Sequence, residues 1–431
     1  MKQPRVAVIG AGWAGLAAAA ALVPKAKVSL FEAGKQAGGR ARALNQADAV
    51  FARADNGQHI LLGAYHSVLQ LLRQVGVDEA DVFMRLPMRW HMVDGMRLRT
   101  PKLPAPWHLL VGMWRADGLS GAEKWRALRG ARALVAWTKQ PLAEDISVAE
   151  WLRRMQMPGR LVAEFWQPLV WAALNTPLTV ASVRTLATVL QEGVLAKRSD
   201  SDYLLPKRDL QQAFVAPVLQ WLQQNGVQWQ PQQRIQHIAP QADGSVAVDG
   251  RLFDAVIIAT APYHVLSLLP PPLAQPLKPA LDALAYSAIT TVYLRYAEAF
   301  SLPEPMVGFV NGTVQWLVDR QRLGLGKQEL AAVISVAQQH DWSRDEWIEA
   351  VHRDVLRLCP YLGAPQAALV VSEKRATFQA AVGRTPPPSA HLQRHRIYLA
   401  GDYTHPRYPA TLEGAVQSGQ RAAADCLTDW I

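Results

Sequence analysis

The stretch Gly10-Ala11-Gly12-Trp13-Ala14-Gly15 stands between two segments of contrasting composition. Before it, residues 6–9 are Val, Ala, Val and Ile, a short apolar run of the kind that forms buried strands. After it, the alanine-rich residues 14–22 favour a helix. Residues 27–32, Lys-Val-Ser-Leu-Phe-Glu, are predicted to form a second strand. This order predicts a βαβ unit that opens a parallel sheet.

Each glycine of the turn has a physical task if the turn binds a dinucleotide. Gly10 permits the tight exit from the strand, Gly12 lets the backbone approach a pyrophosphate, and Gly15 lets the helix pack closely on the sheet. Trp13 and Ala14 begin the helix, whose N–H groups and dipole then face the phosphates. We therefore predict that these residues bind a dinucleotide.

Further residues near the N-terminus restrict the kind of dinucleotide. Glu32 closes the second strand at a distance suited to accepting hydrogen bonds from ribose hydroxyls. Gly39 and Arg40 combine a flexible backbone with a cation that suits a pyrophosphate. Gly57, with Gln58 beside it, offers bare backbone that can lie against a flat ring.

The C-terminal region offers a second set of contacts. Gly401 and Asp402 follow the apolar segment 396–400, and an acid after a strand can bind a ribityl hydroxyl. The next helix begins after Thr411, and its N-terminus would present N–H groups to the N1–C2=O edge of a flavin and stabilise the reduced anionic ring. The predicted contacts in this helix are Thr411, Leu412, Glu413 and Ala415.

Together these segments resemble the flavin amine oxidase and carotenoid desaturase superfamily. The resemblance implies FAD, held from both ends of the chain, with Ile235 among its contacts. It also implies an α/β fold with a discontinuous Rossmann-like FAD-binding domain, a mixed-sheet substrate domain and a helical insertion. We assign residues 1–66, 205–265 and 385–431 to the FAD domain, and residues 67–204 and 266–384 to the substrate domain with its helical subdomain.

Residue patterns give a coarse secondary structure for the rest of the chain. Residues 67–222 are predicted to be mostly helical, with breaks at prolines. Strands are predicted at 227–229, 235–238, 245–248, 255–260 and 396–400. A strand-rich stretch is predicted at 288–296 and 307–318, and a further helix at 342–358.

Two longer motifs, residues 55–65 and 165–177, resemble the hydroxysqualene dehydroxylases, the squalene-associated branch of the desaturases. That resemblance implies reduction of hydroxysqualene to squalene by reduced FAD. A long apolar groove would suit such a substrate, and five apolar residues of the second motif could line it. The alternative is that they form the buried face of a helix. These residues are Trp166, Leu169, Val170, Trp171 and Leu174.

Loss of an allylic hydroxyl as water requires a proton donor. His59 is our first candidate, because it follows the glycine predicted to face the flavin. Tyr403 and His405, beside the C-terminal flavin contact, come next. A structural His59, hydrogen-bonded to backbone, is an equal alternative.

Three alternative functions remain open. A carotenoid-type desaturase would use the same fold and groove but move hydride onto FAD. An amine oxidase usually offers a flavin-facing lysine where residues 288–294 here carry threonines. A lipid carrier of the same architecture would not need an intact C-terminal flavin segment. Residues 259–262 lack a second glycine-rich phosphate turn, so we predict no separate NAD(P)H domain, and the electron donor stays open.

Composition restricts the partners. The chain has a net charge of +10 and 15 tryptophans, but it shows no nucleic-acid-binding motif. Between residues 85 and 137, arginines mix with tryptophans, a composition that suits either the edge of a bilayer or an ordinary helical subdomain. Cys359 and Cys426 have no metal-type spacing, so no metal site is predicted. With no signal peptide before residue 6, we expect a cytoplasmic protein, with peripheral membrane attachment at the inner face as an alternative.

Overall fold

The computed structural model describes residues 3–44, 50–141 and 144–428. The strands are β1 (Arg5–Ile9), β2 (Lys27–Phe31), β3 (Leu61–Leu62), β4 (Phe83–Leu86), β5 (Arg89–His91), β6 (Arg97–Arg99), β7 (Tyr203–Pro206), β8 (Gln228–Gln230), β9 (Ile238–Pro240), β10 (Val246–Val248), β11 (Arg251–Phe253), β12 (Ala255–Ile258), β13 (Tyr286–Arg295), β14 (Met306–Gly308), β15 (Trp316–Asp319), β16 (Glu329–Ser335), β17 (Ala367–Phe378) and β18 (Ile397–Leu399). The helices are α1 (Trp13–Leu22), α2 (His66–Gln74), α3 (Glu79–Val82), α4 (Trp107–Trp114), α5 (Gly121–Ala136), α6 (Val148–Arg154), α7 (Gly159–Leu161), α8 (Gln167–Leu174), α9 (Val183–Gly193), α10 (Ala216–Gln224), α11 (Pro262–Leu268), α12 (Pro271–Ala274), α13 (Lys278–Asp282), α14 (Arg344–Leu356), α15 (Ala390–Gln393) and α16 (Leu412–Thr428).

A parallel five-stranded sheet of order β18-β12-β1-β2-β8 carries the glycine-rich turn. Its strands come from the beginning, the middle and the end of the chain, and all four pairings are parallel. Helix α1 packs between this sheet and α16 through small residues. A Cβ on Gly15 would lie 1.8 Å from the carbonyl oxygen of Gly10, and one on Gly419 would lie 2.0 Å from that of Ala14. The predicted Rossmann-like α/β fold is confirmed.

A second five-stranded sheet, of order β14-β15-β16-β13-β17, stands apart from the first. All four of its pairings are antiparallel, where the sequence predicted a mixed sheet. Strands β14, β15 and β16 follow one another through short connections, which favour antiparallel neighbours. The segment 307–318, predicted to be rich in strand, contains the turn between β14 and β15.

The segment 67–222 is mostly helical, as predicted, but it also contains strands that the prediction did not include. Helices α2–α9 lie there, but so do β4–β7. Strands β5 and β6 are three residues each, with one apolar residue between polar ones. A pattern that short cannot distinguish a strand from a helical turn.

The domain bounds stay a prediction. All strands of the parallel sheet lie within the three segments assigned to the FAD domain, which supports the division. Strand β7 crosses the bound that we placed between residues 204 and 205, and pairs with both β3 and β4. The strand predicted at 235–238 begins at its last residue, as β9.

Candidate active site

One cavity of about 1660 Å³ runs between the two sheets. Sites for a single small molecule are typically about 300–1,000 Å³, so this cavity has room for two ligands. Its lining includes every residue that we predicted as a cofactor contact except Gly15, which packs beneath the turn.

The N-terminus of α1 lies at one end of the cavity. Its N-cap is Gly12, no side chain caps it, and the first turn holds no acid. The N–H groups beside Trp13 and Ala14 are therefore available to an anion. The Trp13 ring is itself part of the core: it stacks on Phe214 with ring centroids 3.6 Å apart.

Glu32 holds the glycine-rich turn from the neighbouring strand. Its carboxylate accepts hydrogen bonds from the N–H groups of Ala11 (2.9 Å) and Gly34 (2.8 Å). This places an acid at the cavity wall beside β1 and β2, the position expected of a ribose contact. Ile235, 8% exposed, lines the same end.

Arg40 and Asp402 meet across the cavity. Two hydrogen bonds of 2.7 Å join one guanidinium nitrogen to both carboxylate oxygens, and a further bond of 3.1 Å runs from Arg40 to the carbonyl of Ala376. Gly39, with φ +59°, and Gly401, with φ +144°, set the backbone on either side. Sequence reasoning predicted separate roles for the cation and the acid; the structure brings them together as an ion pair.

The segment around Gly57 rests on the antiparallel sheet. The N–H of Gln58 donates to the hydroxyl of Thr291 (3.3 Å), and Arg320 donates to the side-chain oxygen of Gln58 (3.2 Å). Arg320 is 1% exposed and pairs with the equally buried Glu329 at 3.1 Å. Through Gln58, this buried pair holds the backbone of Gly57 at the cavity wall. Nothing in the sequence indicates the contact, because Arg320 and Gln58 are 262 positions apart.

The C-terminal contacts sit at the start of α16. The hydroxyl of Thr411 accepts from the N–H of Gly414 (3.0 Å) and caps the helix. Glu413, 3% exposed, accepts from the N–H groups of Ser67 and Val68 at the start of α2. Glu413 therefore joins α16 to α2, while Leu412 and Ala415 complete the lining.

The opposite end of the cavity is apolar. Of the five groove candidates, Leu169, Trp171 and Leu174 line it. Trp166 and Val170 are 0% exposed and belong to the core of the helical insertion. Side chains from the antiparallel sheet and its neighbours complete the apolar lining: Met88, Trp90, Ile289, Met306, Trp316, Val333 and Val371.

His59 alone of the three predicted proton donors lines the cavity. Burial lowers its pKa to about 4, so the ring is neutral near pH 7. Its Nδ1 has no hydrogen-bond partner among the described residues.

Tyr403 and His405 are not among the described residues that line the cavity. Tyr403 is 1% exposed, and burial raises its pKa. Both ring nitrogens of His405 are engaged, Nε2 with Gln417 (3.2 Å) and Nδ1 with the N–H of Tyr408 (2.9 Å). Burial lowers the pKa of His405 to about 4. The turn at residues 402–404 directs these two side chains into the protein.

A histidine–carboxylate pair that sequence reasoning missed also lines the cavity. Nε2 of His66 donates to Asp200 over 2.9 Å; the His66 side chain is 58% exposed and that of Asp200 is 2% exposed. The second oxygen of Asp200 has no partner among the described residues. Neither residue stands in a motif, and 134 positions separate them, so the sequence carries no signal for the pair.

A glycine-built end with free N–H groups, a carboxylate beside β2 and a second helix N-terminus suits the phosphates, ribose and ring of FAD. With an apolar end for a second ligand, the fold and cavity define an FAD-dependent oxidoreductase. The chain belongs to the flavin containing amine oxidoreductase family, whose model matches residues 13–427.

Individual proteins agree with this assignment. The chain is 27% identical to a hydroxysqualene dehydroxylase of Rhodopseudomonas palustris, over 97% of each chain. It is 28% identical to a 15-cis-phytoene desaturase of Narcissus pseudonarcissus, over all of this chain and 80% of the desaturase. Its fold matches a cyclohexylamine oxidase of Brevibacterium oxydans with a TM-score of 0.74 and 16% identity, over the full length of both chains. The resemblance inferred from the sequence motifs is confirmed.

Proposed function

We propose that this protein reduces hydroxysqualene to squalene, with loss of the allylic hydroxyl as water. The observation that carries the proposal is the large cavity, which continues from the glycine-built end into an apolar end lined by side chains of the helical insertion and of the antiparallel sheet. Similarity to hydroxysqualene dehydroxylases over nearly the whole chain supports it.

The reaction breaks one C–O bond, forms one C–H bond, and consumes one proton and one hydride. Reduced FAD, when bound, supplies the hydride. The protein holds the chain across the cavity, excludes water from a cation-like allylic centre, and places a proton at the leaving oxygen. The apolar lining around Leu169, Trp171 and Leu174 performs the first two tasks.

We propose that His66 donates the proton to the leaving oxygen. The Asp200 carboxylate, 2.9 Å from Nε2, orients the His66 ring, and the partial exposure of His66 allows protons to be exchanged with solvent. His59, neutral because of its burial, would instead hydrogen-bond the substrate hydroxyl. This division differs from the sequence prediction, in which His59 came first.

The central experiment is anaerobic. Protein with chemically reduced FAD is mixed with hydroxysqualene, and both flavin absorbance and squalene formation are followed. We expect stoichiometric squalene and reoxidised flavin; absence of both would contradict the proposal.

The proton assignment is tested with His66→Gln and Asp200→Asn. Both should slow turnover about 10²-fold or more, consistent with loss of a general acid, and should lower kcat rather than raise KM. FAD content and the affinity of oxidised protein for squalene should not change. His237→Gln, at an exposed histidine outside the cavity, is the control. A kcat equal to that of the parent protein in His66→Gln would exclude His66 as the proton donor.

A desaturase remains the second candidate, because phytoene desaturases match the chain over its whole length. Such an enzyme would need the same cavity but oxidised FAD. Incubation of oxidised protein with phytoene, with flavin bleaching as the readout, distinguishes the two reactions.

The electron donor and the cellular location stay predictions. No helix among the described residues is both long and apolar enough to cross a bilayer. Rapid, saturable reduction of the flavin by NADPH alone would contradict the prediction that the protein lacks its own nicotinamide site.

A further inference from the structure

Helix α4 presents apolar side chains to solvent. Trp107 and Trp114, seven residues apart and so on one face, are 58% and 65% exposed. Leu110 and Val111, between them on the same face, are half-buried. On a surface helix of a water-soluble protein the outward face is normally polar. The sequence of α4 contains no Asp, Glu, Lys or Arg to make it so.

The start of α5 enlarges this surface. The Lys124 amine donates to the carbonyl of Trp114 over 3.0 Å, which holds the end of α4 beside the start of α5. Trp125 there is 63% exposed, and Leu103, just before α4, is 37% exposed. Single exposed apolar residues are common, but a cluster indicates an interaction site. We call the exposed side chains of Leu103, Trp107, Trp114 and Trp125 the α4–α5 face.

Positive charge surrounds the α4–α5 face. Residues 102–132 contain six Lys or Arg residues and two acids. One of the acids, Glu123, is held in the capping box of Ser120. Arg129 and Arg132 extend the row begun by Trp125 at helical spacing, and both are exposed. The charge therefore complements an anionic partner.

We propose that the α4–α5 face docks on an anionic lipid bilayer. Tryptophan rings next to cationic side chains suit the headgroup level, where the ring enters the apolar boundary and the cation meets phosphate. The same helix α5 carries Val135, which lines the cavity, and packs on α9, which forms part of its wall. Docking would thus bring the apolar end of the cavity close to the bilayer, a benefit that rests on the proposed isoprenoid substrate.

Vesicle sedimentation tests the docking with the FAD-loaded full chain. We expect binding to phosphatidylcholine vesicles that contain phosphatidylglycerol, and weak binding to phosphatidylcholine alone. Trp107→Ser/Trp114→Ser should lower the partition coefficient about tenfold or more. Arg129→Glu/Arg132→Glu should remove the preference for phosphatidylglycerol, and added salt should do the same. Tyr361→Ser, at a 61% exposed ring outside the face, should bind like the parent protein.

Unchanged flavin absorbance and melting temperature would show that the exposed substitutions leave the fold intact. The proposal fails if the parent protein remains in the supernatant with both vesicle types, or if the tryptophan double variant binds like the parent. Retention of a protein partner through these residues without vesicle binding would also overturn it. The assay contains no substrate or reductant, so its failure is distinct from failure of the proposed reaction; turnover with detergent-solubilised hydroxysqualene should be equal in all variants.

Discussion

The two ends of the cavity are built in different ways. At the cofactor end the wall is largely backbone, with Gly12 and Gly39 so close that a Cβ on Gly39 would lie 3.1 Å from the Cα of Gly12. At the apolar end the wall consists of side chains such as Leu169 and Trp316, carried by separate elements. A wall made of closely packed backbone tolerates few side chains larger than glycine. A wall made of side chains can change its shape through single substitutions. The first end therefore fixes the cofactor, and the second is free to define the substrate.

The largest effect is expected from a substitution that disrupts the glycine-rich turn at the cofactor end. In Gly15→Ala the new Cβ would stand 1.8 Å from a carbonyl oxygen of the turn, which cannot move without opening the turn. We expect destabilisation by more than about 4 kcal/mol and loss of FAD, measured by thermal unfolding and flavin absorbance. Gly159→Ala, where a Cβ meets nothing within 4 Å, is the control. A Gly15→Ala protein that keeps both FAD and parent stability would refute the steric account.

The second prediction concerns the buried Arg320–Glu329 pair, which lies between the two ends of the cavity. Arg320→Met would leave the buried Glu329 with one partner, Arg295, and would release Gln58. We expect a loss of about 3–5 kcal/mol in the free energy of unfolding, measured in urea. Arg353→Met removes a pair with Glu349 in which the two side chains are 72% and 75% exposed, and should cost less than about 1 kcal/mol. Equal effects of the two substitutions would show that burial of Arg320 does not matter.

The third prediction uses pH. The pKa of His59 falls from 6.5 to about 4 on burial, so between these values the folded state binds fewer protons than the unfolded state. Stability is therefore complete above about pH 6.5 and is lost as the pH falls, by about 3 kcal/mol at pH 4 from this residue. His59→Gln should reduce the difference in unfolding free energy between pH 7 and pH 4 by that amount. A curve for His59→Gln that runs parallel to that of the parent protein would mean that burial does not lower the pKa of His59.

The smallest effect is expected from a substitution at the apolar end, which should affect the substrate but not FAD. Leu169→Trp would fill part of the substrate space while the glycine-built end stays as it is. We expect kcat/KM for hydroxysqualene to fall about tenfold, or about 1.4 kcal/mol, with full FAD content. Loss of FAD in this variant would show that the two ends are not separable.

The residues that the sequence assigned to the cofactor lie together along the cavity, because steric demands in such a turn select residue types at fixed spacing. The Gly10–Gly15 turn, Glu32 and the start of α16 all lie where the pattern indicated. Such patterns involve residues that are close in sequence, so they can be recognised without knowledge of the fold.

The rest depends on contacts between distant residues. The Arg40–Asp402 pair spans 362 positions and the His66–Asp200 pair 134, and neither leaves a local pattern. The side chains of Tyr403 and His405 adjoin a cofactor residue in sequence, yet the backbone turn at 402–404 points them inward. Proximity along the chain was therefore a poor guide to the proton donor.

The close approach of Gly419 to Ala14 has a consequence for biosynthesis. Helix α1 is made long before α16, which covers much of its small-residue face, and β12 pairs with β18 only after residue 397 has been made. A nascent chain therefore emerges with an exposed alanine-rich helix and an incomplete nucleotide sheet for most of its translation. We expect the ribosome-bound chain to need protection by a chaperone, and FAD to be captured late, when the second half of its site has been synthesised.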